Sequence, residues 1–165
     1  MKRLMIAAAI AASFAASPLL AQTPPPPPPP YGPAITFDAA KKALAAAEAE
    51  AKKNNWAVAI AIVDSSGNLA AFSKMDNTQH ASVDIAIGKA VTANNFKRPT
   101  KALQDGIAQG GVNLRILGQP GVTPLEGGVP IVVDGKIVGA IGASGVLSSQ
   151  DAEVAMAGAA AAAAK

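Results

Sequence analysis

Apolar positions recur along this chain with two periods, and each change of period marks an element. Residues 37–53 repeat at helical spacing, with Phe37, Ala40, Leu44, Ala47 and Ala51 on one face, Thr36 placed to cap the start and Asn54-Asn55 to end it. Residues 56–64 and 68–75 are β-type runs separated by Ser65-Ser66-Gly67, the pattern of a hairpin. A second helix is predicted over 81–96, with Val83, Ile87, Ala90, Val91 and Asn94 on successive turns, and it must stop before Pro99. A short third helix, 100–108, closes at Gly110-Gly111, and 112–128 reads as a loop rich in Gly and Pro. Asp134-Gly135 then separates two apolar runs, 129–133 and 136–144, a strong hairpin signal. Gly139, Gly142 and Gly145 in and after the second run admit close approach by a helix backbone or a ligand, and an adjacent helix is available to fill that space. Residues 150–163 form an alanine-rich helix, whose small side chains require a close partner. Strands joined by tight turns pair antiparallel, so the fold class is α/β of the α+β kind with helices covering a sheet, and a doubly wound nucleotide-binding fold is excluded.

The segment before these elements has another character. Lys2 and Arg3 precede an uncharged stretch, residues 4–16, and a small-residue site follows at Ala21, the layout of a secretory signal. The stretch is shorter than the roughly 20 apolar residues that span a bilayer, and Pro18 interrupts its end, so removal rather than membrane insertion is expected. Residues 22–33 contain seven consecutive prolines, Pro24 to Pro30, which favour an extended rod; a spacer is expected, with a ligand for a proline-recognising domain as the alternative. The domain proper is then 34–165, in a periplasmic or secreted protein. With 14 basic and 11 acidic residues, loss of Lys2 and Arg3 lowers the net charge from +3 to +1. Lys97, Arg98 and Lys101 are the one tight basic cluster left, too little for a nucleic-acid partner. There is no cysteine, so packing alone must hold the fold.

Candidate chemistry is sparse. One histidine and no cysteine exclude a Cys/His nucleophile pair and a multi-histidine metal site within one chain. A Ser-His-Asp triad would need His80, but no G-x-S-x-G elbow is present, and Gly142-Ala143-Ser144-Gly145 lies in or just after a strand. Neither Gly106–Gly111 nor Gly118–Gly128 has the ending or the following helix of a phosphate loop. The carboxylates Asp76 with Asp84, and Glu126 with Asp134, are favoured as turn and helix-start residues, not as a catalytic pair. His80 remains, at an exposed junction between the second strand and the second helix, where a lone imidazole is either a bystander or a ligand to a metal or a porphyrin iron.

Several segments in order resemble the GlcG/HbpS-like haem-binding (haem-degrading domain) family over residues 36–160. They are Lys53-Asn54-Asn55-Trp56, Ser73-Lys74-Met75-Asp76, Gly88-Lys89-Ala90, Leu125-Glu126-Gly127-Gly128-Val129-Pro130, Gly139-Ala140-Ile141-Gly142 and Gln150-Asp151-Ala152-Glu153-Val154-Ala155. Asn-Asn-Trp and Leu-Glu-Gly-Gly-Val-Pro bring the chain near the glycolate-operon GlcG type, which has no settled activity, and Gly145-Val146-Leu147 departs from the Ser-Gly-Gly-Thr often found there. The resemblance implies a profilin-like three-layer α/β/α domain with a five-stranded antiparallel sheet, homo-oligomers up to octamers, and haem binding or degradation in some members. A related domain occurs beside a cobalamin adenosyltransferase. On this reading the cofactor is haem, His80 is the axial metal ligand, Lys89 pairs with a propionate, and Glu126, Gly127 and Gly128 are nearby contacts. No catalytic residue is implied. Sequestration, sensing or oxidative degradation of haem are the expected roles, and non-enzymatic binding of an organic acid or corrinoid, or an oligomeric scaffold, is the alternative.

Overall fold

The computed structural model describes residues 26–164; the expected signal segment lies outside them. Helix α1 (Phe37–Lys53) is capped by Thr36, whose hydroxyl accepts from the Ala39 amide. Strands β1 (Ala59–Asp64) and β2 (Leu69–Lys74) form the first hairpin. Helices α2 (Ser82–Phe96) and α3 (Lys101–Gln109) follow, then a 3-10 helix (Gly111–Gly118) where the sequence predicts a loop. Gly110 and Gly111, both at positive φ, break α3 and let the chain rewind. Strands β3 (Gly128–Val133) and β4 (Lys136–Ser144) and helix α4 (Ser148–Ala163) complete the domain. The β3–β4 turn places Asp134 and Gly135 at positive φ, the backbone that an Asp-Gly hairpin selects.

All strand pairs are antiparallel, in the order β2-β1-β4-β3. Ile60, Ile62, Ile131 and Ile141 point to the face covered by α1 and α4. The other face carries Ala59, Ala61, Val63 and Ala140 against Ala86, Ala90 and Ala93 of α2. These small residues let α2 approach so closely that a methyl on Gly142 would strike the Ala86 carbonyl and the Ala90 amide. The expected three layers are present.

The sheet has four strands among the described residues, not five. At the start of β4, beyond the reach of β1, residues 30–35 lie alongside as a single parallel bridge between Tyr31 and Ile137. Ile137 donates to the Pro30 carbonyl (2.9 Å), Gly32 donates back (2.8 Å), and Ile35 donates to Val138 (2.8 Å). Pro30 and Pro33 have no amide proton, so the segment cannot complete a ladder. Its side chains tie it down instead. The Tyr31 hydroxyl donates to the Asn94 carbonyl (2.9 Å), and Lys97 Nζ lies 4.2 Å from the ring centre.

Candidate functional site

Where α2, β4 and α4 meet, Lys89 sits in the middle of the α2 face that covers the sheet. Its ammonium donates to Asp151 Oδ2 at 2.7 Å and to the Ala143 carbonyl at 2.9 Å, and the two side chains are 2% and 3% exposed. Asp151 belongs to the first turn of α4, where its second oxygen accepts from the Val146 amide (3.2 Å). Burial pushes the Asp151 carboxyl above the usual carboxylate range, opposed by the hydrogen bond and charge of Lys89.

The loop 125–128 closes over this pair. The Gly127 carbonyl accepts from Ala143, while Gly128 and Thr100 exchange bonds: Gly128 N–H to Thr100 Oγ1 (2.9 Å) and Thr100 N–H to the Gly128 carbonyl (3.0 Å). Gly127 has φ +122°, and a methyl there would come within 2.8 Å of both Lys89 Nζ and Asp151 Cβ. A methyl on Gly128 would strike the Lys89 carbonyl. Both glycines therefore serve close packing. Glu126 turns to α3, with its amide donating to Gln104 Oε1 (2.8 Å) and its carboxylate accepting from Gln104 Nε2 (3.4 Å).

Thus Lys89, Gly127 and Gly128 come together around a closed ion pair, while Glu126 faces Gln104 of α3. Lys89, expected to pair with a propionate, has its ammonium engaged by Asp151 and the Ala143 carbonyl here, and the residue is 1% exposed. The expected buried face of α2 is corrected. Ser82, Ala86, Lys89, Ala90 and Ala93 are buried, while Val83, Ile87 and Val91 are half-buried at its margin. A lysine in that stripe hides it from a reading of hydrophobic period. Asp151 is the site residue that sequence reasoning misses; an acidic residue among the alanines of α4 is the available signal.

His80 lies elsewhere, on the ordered turn between β2 and α2. Thr78 closes that turn by donating through its hydroxyl to the Met75 carbonyl (2.7 Å), and Asn77 takes positive φ. Two residues beyond His80, the Ser82 hydroxyl meets that of Ser144 (3.3 Å), fixing the start of α2 to the end of β4. The imidazole is exposed and has no hydrogen-bond or ion-pair partner among the described residues. One donor of this kind fits a single axial ligand on an open surface. No group of three or more His, Asp or Glu among the described residues could hold a metal ion by itself.

Beside this turn, a cavity of about 520 Å³ opens between the C-terminal end of α1 and the end of β2. Trp56, Met75, Lys74 and Asp76 line it, together with Glu48 and Ser73, whose side chains hydrogen-bond each other at 2.6 Å.

Residues 35–160 match the family model described as haem degrading protein HbpS-like. The chain is 44% identical over 101 residues to Protein GlcG of Escherichia coli strain K12, covering 61% of this chain and 74% of that one. Among solved structures, a double mutant of Streptomyces reticuli HbpS superposes with TM-score 0.71 at 33% identity, over 92% of this chain and 97% of that one. A PduOC:haem complex gives TM-score 0.71 at 29% identity, over 78% and 94% of the respective chains.

Proposed function

This chain belongs to the HbpS-like family of haem-degrading proteins, and from that premise we propose that it is an exported haem-binding protein with His80 as the axial ligand. Its carrying observation is the exposed, partnerless imidazole of the chain's one histidine on an ordered turn. A relative of the same fold is described as a haem complex, which supports the choice of ligand. Neutral imidazole is a common haem ligand, and the iron would supply any redox chemistry. Lys89 contributes by holding the first turn of α4 against β4, and Gly127 and Gly128 by closing the loop over that contact.

Export follows on this reading from the N-terminal segment, and self-association from Val112, Leu114 and Leu117 of the 3-10 helix, which expose 79%, 45% and 61% of their surface. Titration with hemin should give a saturable Soret shift that weakens strongly in His80→Ala. Absence of any Soret change in the wild-type chain refutes haem binding, whereas an unchanged titration in the variant removes His80 alone. Iron release from bound haem with an electron donor would add degradation to binding.

A further inference from the structure

The cavity between α1 and β2 shows a charge pattern that the haem reading does not use. Glu48 and Lys52, which both line the cavity, are committed to each other: Glu48 accepts from Ser73 Oγ at 2.6 Å and from Lys52 Nζ at 3.3 Å. Lys74 and Asp76 are different. Both are exposed, both line the cavity, and neither has an ion-pair or hydrogen-bond partner among the described residues. One free cation and one free anion thus flank a part of the cavity that Trp56 and Met75 line.

A ligand bearing only a carboxylate would satisfy Lys74 while facing Asp76, and a simple amine would do the reverse; like charges brought together oppose binding. A zwitterion satisfies both. The aromatic and sulfur wall adds an apolar or planar side chain, since indole and thioether both pack well against rings. The volume of about 520 Å³ lies within the range of small-molecule sites, roughly 300–1,000 Å³.

We propose that this cavity binds a zwitterionic α-amino acid with an apolar or aromatic side chain, its carboxylate on Lys74, its ammonium on Asp76 and its side chain on Trp56 and Met75. His80 does not line the cavity, so this site stands independently of haem.

Trp56 is the chain's one tryptophan, so its single indole N–H resonance reports the site directly in the full-length protein. Three probes separate the charges: L-phenylalanine, 3-phenylpropionate and phenethylamine. Phenylalanine should move the indole resonance saturably and bind about tenfold more tightly than either singly charged probe, the fold-change of a charge-assisted hydrogen bond at the weak end of its range. Lys74→Met should erase the advantage of phenylalanine over phenethylamine, and Asp76→Asn its advantage over 3-phenylpropionate. Both residues are exposed, so neither variant threatens folding, and His80→Ala should leave all three titrations unchanged. Equal binding of the three probes, no saturable shift with any of them, or equal losses for all three in both variants would overturn the proposal. A site lost in His80→Ala would overturn its independence from the histidine.

Discussion

Replacing Lys89 by Met removes one half of a buried ion pair and leaves the other half in place. The Asp151 carboxylate is then held at 3% exposure with only the Val146 and Gly145 backbone amides as hydrogen-bond donors, and the Ala143 carbonyl loses its lysine donor. Breaking a buried pair in this way costs about 3–5 kcal/mol, because the surviving charge is uncompensated. With a urea m-value of about 1.5 kcal/mol per molar, the unfolding midpoint at pH 8 should fall by about 2 M or more. The cost has a pH signature. Burial already holds the Asp151 carboxyl above its ordinary value of 3.8, and loss of the ammonium that opposes this raises it further. A folded-state value above the unfolded one means that the folded chain binds the proton more tightly, so stability from this group is present at low pH and lost as pH rises through the elevated value. The destabilisation of Lys89→Met should therefore be largest at pH 8 and shrink toward pH 5. In a Lys89→Met, Asp151→Leu double variant, with no charge left to bury, stability should return to within about 1 kcal/mol of wild type or exceed it. A loss below about 1 kcal/mol in the single variant, or one constant between pH 8 and pH 5, would refute a dry, ionised pair.

Other perturbations follow from the packing. Gly142→Ala places a methyl against the α2 backbone and should cost about 1–3 kcal/mol or more in chemical denaturation, because a helix and a central strand must part. Gly135→Ala meets nothing within 4 Å and should cost only the strain of its positive φ, about 1 kcal/mol. Tyr31→Ala removes the hydrogen bond to Asn94 and the ring beneath Lys97, and should increase hydrogen exchange at residues 31–35 while leaving β4 protected. His80→Ala, at an exposed residue whose imidazole has no partner among the described residues, should change the unfolding free energy by less than about 0.5 kcal/mol, so any loss of haem binding in that variant is not a folding defect.

The elements are legible because their signals are local. Thr36 before an apolar helical repeat and Asp-Gly between two apolar runs each carry a backbone instruction within a few residues, and both appear in the structure as the sequence implies. What fails depends on distant partners. Among the described residues the expected strand count is one too high: the segment beside β4 is interrupted by Pro30 and Pro33, which have no amide proton to donate. The buried stripe of α2 is misplaced because Lys89 counts as polar until its partner, 62 residues away, is known. No local period encodes that distance. The 3-10 helix escapes for another reason: glycines at both of its ends read as loop, although the residues between them are largely apolar.

Four of the segments that carry the family resemblance converge in space on the Lys89–Asp151 contact: residues 88–90 supply the lysine, 150–155 the carboxylate, 139–144 the carbonyl and 125–130 the glycine cover. Their residue types are those that a helix pressed on a sheet requires, namely glycine where backbones meet and a charge pair where burial leaves no water. These four segments therefore speak to architecture for a physical reason, and they say little about the ligand, because the Lys89 and Asp151 charges already satisfy each other. Free chemistry lies outside these four, in the imidazole of His80 and in the opposed charges of Lys74 and Asp76 beside Trp56, which belong to two further segments of the resemblance. Scaffold and ligand functions should then separate experimentally. Substitutions at Lys89, Gly127 or Gly128 should shift the unfolding midpoint and alter ligand affinity only as far as they unfold the chain, whereas substitutions at His80, Lys74 or Asp76 should alter affinity at an unchanged midpoint.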